Sequence, residues 1–419
     1  MAAEEEKYLF AEADLSDLHT CPPHKRVTDS QLVLTVAKAY IGSGCLALPY
    51  AVSQSGFLPP FFLLTMALII NLYGMMRLVD CRKALPQCHL FLDIARTALG
   101  RFGEVLIGFS TVAFQMGILI AYFILSAQNL SYVFPSISTE SFMFFLLFPI
   151  SLLCAIRQMK HIAPFSFAAN VTIIAVLLFS VYYSFQKISI DGISKDIVPV
   201  QTKTLTLFLG EAVYVFEGIA ITLPSFNTMK NQHKFSKLLI ITLSSLVLFY
   251  SFYCILAYLA FGNSIDYNSI TRNFGPLLQN ISSLFIAFTL TVTFIVMAVP
   301  VFEIFEFTFR NYYRRSQKLG LNPSKLDFLG KRILVRGSTV LICAIVAVLC
   351  KDYINDWIAL IGSTCGSVLS FIAPSLCSIV LLRKKSSKIK VFADYMVLIF
   401  GIVMLLVVTT INVINLFSK

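Results

Sequence analysis

The chain is short of charge. Only 13% of its 419 residues are Asp, Glu, Lys or Arg, whereas 57% are hydrophobic. Soluble domains carry about a quarter charged residues. Apolar runs recur from residue 30 to the C-terminus. A helix needs about 20 such residues to cross a bilayer. The expectation is an all-α polytopic membrane protein, with the lipid bilayer as its first partner. Histidine is also scarce. All five (His19, His24, His89, His161, His233) fall outside the apolar runs, which argues against an intramembrane histidine relay or metal site. The ten cysteines are scattered without CxxC or metal spacing, so neither a disulfide framework nor a zinc site is implied. Loops are too short for a soluble catalytic domain, and no catalytic pair sits at membrane depth. The expectation is therefore not an enzyme, with no cofactor. No pore-lining ring or filter sequence suggests a channel. Residues 1–29 lack an apolar core, so no cleaved signal peptide is expected and span 1 inserts the chain.

Hydropathy gives eleven candidate spans: 30–54, 57–80, 104–133, 141–158, 164–186, 204–229, 235–262, 277–309, 332–350, 354–383 and 392–417. Placing the N-terminus in the cytoplasm puts 26 of the 33 Lys and Arg residues on the cytoplasmic side and 6 outside, with Lys38 inside span 1. That asymmetry is the positive-inside pattern. It puts the C-terminus on the outer or lumenal side. It also accounts for the net charge of +11 without nucleic acid. The run "RKKSSKIK" (383–390) reads as topology and headgroup contact. The sequon at Asn129 lies too close to the membrane to expect a glycan.

Span 1 contains "YIGSGCLALPYA" (40–51), and span 6 contains "FEGIAITLPS" (216–225). Glycine and proline disfavour a helix interior, and in lipid a freed backbone group has no water to turn to. Each stretch runs from a glycine through apolar residues to Leu-Pro (Leu48-Pro49, Leu223-Pro224). The two spans lie five apart, so they cross in opposite directions. This pattern suits a five-plus-five inverted repeat whose first helices are broken at mid-membrane around a binding site. Intramembrane charges are costly and usually functional. Glu303 and Glu306 follow Pro300 near the cytoplasmic end of span 8 and can reach water. Span 6 holds Glu211 and Glu217; Glu217 lies roughly 20 Å from the outer end at 1.5 Å per residue. Lys38 lies roughly 12 Å into span 1 by the same rise and can snorkel.

The segments "KAYIGSGCLALPYAVSQSG" (38–56), "YVFEGIAITLPSFNTMK" (214–230) and "IGSTCGSVLSFIAPSLC" (361–377) resemble the amino acid/auxin permease family, most closely its proton-coupled and vacuolar amino acid transporter branch. The resemblance covers nearly everything after residue 30. It implies a leucine-transporter-type fold: spans 1–5 (30–186) and 6–10 (204–383) as inverted repeats, with a tail (1–29), an outer loop (187–203) and an added last span (384–419). It implies secondary active transport of an amino acid by alternating access, with a proton or, alternatively, sodium as coupling ion. An amino acid sensor with little flux is a further alternative, disfavoured by the short tail. One position departs from the pattern: animal proton-coupled members carry a histidine one turn before the span 1 lysine, where this chain has Thr35.

For such a substrate, the N–H groups of Ser43, Gly44 and Cys45 suit a carboxylate. Carbonyls of Tyr40, Ile41 and Phe216 suit an ammonium, and Gly42 and Gly218 allow close approach. Tyr214, Phe216, Gln115 and Thr289 are side-chain pocket candidates. Glu217 is the expected proton carrier, or else a structural group that satisfies freed backbone groups. Lys38 is either a fixed cation standing in for sodium or a snorkelling side chain. Thr289 and Thr293 are the hydroxyls a sodium site would use. The amino acid, the membrane (plasma, vacuolar or lysosomal) and the oligomeric state are not given by the sequence.

Overall fold

The computed structural model describes residues 27–155, 163–202, 204–266, 269–318 and 325–417. Residues 1–26 with His19 and His24, His161, and the side chains of Ser43, Glu303 and Glu306 lie outside what is described. Among the described residues the structure is helical, with one isolated parallel bridge, Val27 to Met229. All-helical architecture follows from the solvent. Lipid offers no hydrogen bonds, so each spanning segment must satisfy its own backbone.

Span 1 is α1 (Asp29–Tyr40) and α2 (Ser43–Ser55), bent by 53°. Thr28 starts α1 with a capping box. It accepts from the Gln31 N–H, and Gln31 Oε1 accepts from the Thr28 N–H at 3.0 Å. Next come α3 (Pro59–Ala84), begun by two prolines at its first positions, α4 (Phe91–Val133), α5 (Thr139–Ala155) and α6 (Ala163–Asp191). The second half opens with another divided span, α7 (Leu205–Phe216) and α8 (Ile219–Thr228). It continues with α9 (Phe235–Phe261), α10 (Pro276–Lys318) and α11 (Lys325–Cys350). Span 10 runs from α12 (Ile354–Ile361) through π-helical turns at Gly362–Gly366 and Val368–Ile372 into α13 (Ala373–Leu382). The last span is α14 (Lys388–Val403) and α15 (Thr409–Phe417).

Among the described residues, length and apolarity qualify eight helices as membrane spans, or nine counting the bent pair. The sequence suggests eleven, and the difference has two visible sources. Thr139–Cys154 is shorter than a full span, and Ile333–Leu382 counts as one run although a tight turn at Lys351–Tyr353 divides it. The stretch 81–103, expected to be loop, contains the first turns of α4. Asp93 caps them by accepting from the N–H groups of His89 and Leu90, and Gly100 (φ 66°) interrupts the helix with a conformation glycine adopts freely. The outer shell is apolar: Phe144, Phe148, Phe167 and Leu349 are exposed, as a lipid-facing belt requires. α4 and α10 run against each other, and α7 packs between α2 and α12. Both broken spans therefore lie inside the bundle.

Candidate functional site

The first break is two residues long. α1 ends at Tyr40; Ile41 is extended (φ −90°, ψ 94°), and its N–H is shared between the carbonyls of Ala37 and Lys38. Gly42 is also extended, and no side chain caps the start of α2. The N–H groups of Ser43, Gly44 and Cys45 therefore have no intrahelical carbonyl and, among the described residues, no capping side chain. Gly42 is required by packing: a Cβ there would stand 2.6 Å from the Tyr122 hydroxyl of α4.

The second break is at Glu217 and Gly218. Glu217 is extended (φ −66°, ψ 123°) and Gly218 opens α8. The Glu217 carboxylate turns back on its own chain, where Oε1 accepts from the Ile219 N–H at 3.1 Å. A negative group thus sits on the first turn of α8, where the free N–H groups concentrate positive charge. The breaks meet through aromatic rings. Tyr40 and Phe216 lie 6.4 Å apart between centroids, and Phe216 and Tyr250 lie 6.2 Å apart. The Tyr250 hydroxyl donates to the Tyr40 carbonyl at 3.0 Å. Gly218 lies directly beneath the Tyr40 hydroxyl, leaving no room for a side chain.

Exposure changes at the breaks. Ile41, Gly42 and Glu217 keep part of their surface open, whereas Cys45, Leu46 and Phe216 are buried. The half of the bundle carrying α2 and α7 (called the outer half here, from the charge distribution) is closed. A Cβ on Gly210 would meet the Ala359 backbone, and one on Gly362 the Gly210 carbonyl. The Trp357 indole of α12 donates to the Gly117 carbonyl of α4 at 3.2 Å.

The remaining sequence candidates are spread around this centre. Tyr214 is buried beside Phe114, with ring centroids 5.7 Å apart, and packs on Gly44. Gln115 is buried, and its Oε1 has no partner among the described residues. Thr289 is turned to α6, where its hydroxyl donates to the Ala169 carbonyl at 3.1 Å and meets Thr172 at 2.6 Å. Thr293 bonds back to the Thr289 carbonyl. The Lys38 ammonium donates to the Ser166 hydroxyl of α6, so it joins the last turn of α1 to α6. Asn129 is buried and donates to the Leu125 carbonyl.

Three features escaped the sequence. Tyr122 and Tyr250 close the span 1 break from helices that carry no motif. Arg77 and Asp394 form a buried ion pair between α3 and α14 at 2.8 Å; opposite charges within two apolar runs were the available signal. The inner ends are tied by a latch. The Val27 N–H donates to the Thr228 carbonyl, the Lys230 N–H to the Val27 carbonyl, and Asp29 pairs with Lys234. Beside it Arg82 donates to Asn227 at 3.1 Å and meets His89 Nδ1 at 3.0 Å.

A helical bundle whose two halves each open on a broken span, with the breaks in contact at its centre, defines a membrane transporter of the leucine-transporter type. Solved structures of that architecture match: the inward-facing conformation of Mhp1 (TM-score 0.59, 11% identity, 94% of this chain and 92% of that one) and MhsT in complex with L-phenylalanine (TM-score 0.54, 13% identity, 91% and 98%). The family model for transmembrane amino acid transporter proteins matches residues 25–417, and the chain belongs to that family. Among curated relatives it is similar to the amino acid transporter AVT3C of Arabidopsis thaliana (27% identity, covering 87% of this chain and 86% of the relative). It is also similar to the proton-coupled amino acid transporter-like protein pathetic of Drosophila melanogaster (24%, 85% and 78%). Vacuolar amino acid transporter 4 of Saccharomyces cerevisiae matches at 26% identity over 88% of this chain, which spans 56% of that longer relative.

Proposed function

We propose that the protein is a proton-coupled amino acid symporter working by alternating access, with 30–186 and 204–383 as its inverted repeats in an eleven-span topology. The observation that carries this reading is the contact between two helix breaks of unequal chemistry. The α2 end offers N–H groups without a cap, suited to a substrate carboxylate. The α8 end is already met by the Glu217 carboxylate. The ammonium is then received by the Ile41 and Phe216 carbonyls. The Tyr40 carbonyl contributes less, because Tyr250 already donates to it. Tyr214, Phe216 and Gln115 bound the side-chain pocket. Glu217 carries the coupling proton, since a carboxyl inside a break is reached by water only when one half of the bundle opens.

Proton rather than sodium coupling is supported by Lys38, whose ammonium already supplies a positive charge between α1 and α6. The vacuolar relative supports an acidic organelle membrane as the location. The Lys and Arg asymmetry supports a cytoplasmic N-terminus.

The test is uptake into liposomes by purified protein, with a panel of labelled amino acids and separately imposed proton and sodium gradients. A proton gradient alone drives accumulation. Glu217→Gln loses gradient-driven accumulation and keeps substrate exchange. Uptake driven by sodium and indifferent to pH refutes the coupling, and normal accumulation by the mutant makes Glu217 structural.

A further inference from the structure

The outer half of span 6 holds a carboxyl for which the binding site above has no use. Glu211 lies on α7, six positions before Glu217. It is completely buried, and neither carboxyl oxygen has a hydrogen-bond donor among the described residues. Asp356, at the start of α12 and itself buried, faces it across the α7–α12 contact. Tyr50 of α2 and Cys254 of α9 are the other titratable groups coupled to it. The outer part of α3 (59–72) and the last span near α7 (404–417) carry no titratable side chain. Beyond Asp356, span 10 carries Cys365, Cys377 and, at its far end, Arg383. No cation from these elements faces the carboxyl.

An ionised carboxylate enclosed this way has given up its hydration with no donor or cation in return. The α7–α12 contact beside Glu211 is drawn tight by the Gly210–Ala359 and Gly362–Gly210 backbone approaches. Separating α7 from α12 would admit water to both carboxyls. Ionisation and closure therefore exclude each other.

We propose that Glu211, facing Asp356, is a second proton-binding site, loaded from the outer side, whose occupancy permits α7 to close against α12. This rests on the proton-coupled reading above and adds where the outer proton is taken up. One bound proton converts the Glu211 carboxylate to the neutral acid; the proton comes from water on the outer side and returns there when the half reopens.

The chain supplies its own reporter. Trp357 is the only tryptophan; it follows Asp356 and donates to the Gly117 carbonyl in the closed arrangement. The experiment is Trp357 fluorescence of the full-length protein in lipid nanodiscs, titrated from about pH 4 to pH 8, which spans the carboxyl and histidine ranges. The wild type is expected to show one transition. Glu211→Gln, which mimics the neutral acid, holds the acid-side signal throughout. Asp356→Asn keeps the transition and moves its midpoint to lower pH, because one of two like charges is gone. The proposal is overturned by a wild type with no transition, by Glu211→Gln that titrates normally, or by an unmoved Asp356→Asn midpoint. The last outcome decides the matter where Glu211→Gln fails to fold. Replacing potassium by sodium at fixed pH leaves the signal unchanged; a sodium response lost in Glu211→Gln would make this a metal-cation site and overturn the proton. No substrate or flux enters the measurement. A failed titration therefore leaves the transport reading standing, and absent uptake with an intact titration refutes only that reading.

Discussion

Replacing Asp394 should destabilise the fold more than any other single change in the last span. The Asp394 side chain is fully buried, and that of Arg77 is 3% exposed. Asp394 Oδ1 accepts from Arg77 Nε at 2.9 Å and from the Tyr73 hydroxyl at 2.7 Å. Oδ2 accepts from Arg77 Nη2 at 2.8 Å and from the Ser378 hydroxyl at 2.7 Å. Arg77 also reaches Ser386 and Asp80. The carboxylate thus ties α14 to α3 and α13 with every oxygen occupied. Removing it takes away the buried partner and leaves the guanidinium only the part-exposed Asp80 carboxylate at 3.2 Å, a loss at the lower end of the about 3–5 kcal/mol typical of a broken buried pair. Removing both charges costs less, because no charge is left unpaired. What remains is the unpaired Ser378 hydroxyl, at about 1–3 kcal/mol, since the Tyr73 hydroxyl keeps the Lys390 carbonyl at 2.8 Å.

The assay is a double-mutant cycle on Asp394→Leu, Arg77→Met and the pair, followed by unfolding in mixed detergent micelles. Each single variant should lose about 3–5 kcal/mol, Asp394→Leu at the lower end, which lowers the thermal midpoint on the order of 5–10 °C. The pair should be clearly more stable than the sum of the single losses predicts. Additive losses, with a coupling below about 0.5 kcal/mol, would show that the two charges do not depend on each other and refute the argument.

Gly42→Ala should impair uptake by an order of magnitude or more, because its Cβ would meet the Tyr122 hydroxyl. Tyr122→Phe removes that oxygen and should restore a measurable part of the activity in the double variant; no rescue would place the defect elsewhere. The inner latch should weaken in acid. Burial, and then the Arg82 charge, hold His89 below the ordinary histidine value of 6.5. The folded chain therefore binds this proton less readily than the unfolded one. The stabilisation is present above pH 6.5 and is lost as pH falls through the lower folded value. A plot of thermal midpoint against pH should bend downward there in the wild type and flatten in His89→Gln; equal slopes would exclude His89. Asn129 should carry no glycan when the chain is expressed in a eukaryotic host, because its amide is buried and donates to Leu125. A mobility shift on enzymatic deglycosylation, lost in Asn129→Gln, would contradict this.

The helix breaks were legible because their causes are local. A glycine at the head of the new helical piece and a Leu-Pro inside that piece are written within a few residues of each other, and repetition five spans later supplies the pairing. The chemistry at each break was less legible. Nothing in "FEGI" says that the glutamate bends back onto the Ile219 N–H rather than pointing across the cavity. That is a side-chain rotamer, fixed by what surrounds it. Thr289 and Thr293 looked like pocket or sodium groups because alternate threonines on span 8 offer every face of a helix; contact with α6 chose the face. Arg77 was counted with the inner charges because it lies near a span end. Its partner is 317 positions away, a distance no local pattern bridges. Gly100 hid the first turns of α4, since a glycine after a polar stretch reads as loop until its φ of 66° joins two helical pieces.

The two broken spans share a sequence plan but not a charge plan, and that difference orients a substrate under the proposed function. Each inward helix end would, by itself, attract an anion. At α8 the attraction is already spent on the Glu217 carboxylate. At α2 no side chain intervenes. An amino acid therefore finds one vacant helix end for its carboxylate. The reversed orientation would set its carboxylate against Glu217. If Glu217 takes up a proton, its cap on α8 weakens. The same event thus loosens the inner half of span 6, which the Thr228–Val27 latch ties to the start of α1. A carboxyl placed to cap a helix couples ion binding to helix movement through a single residue.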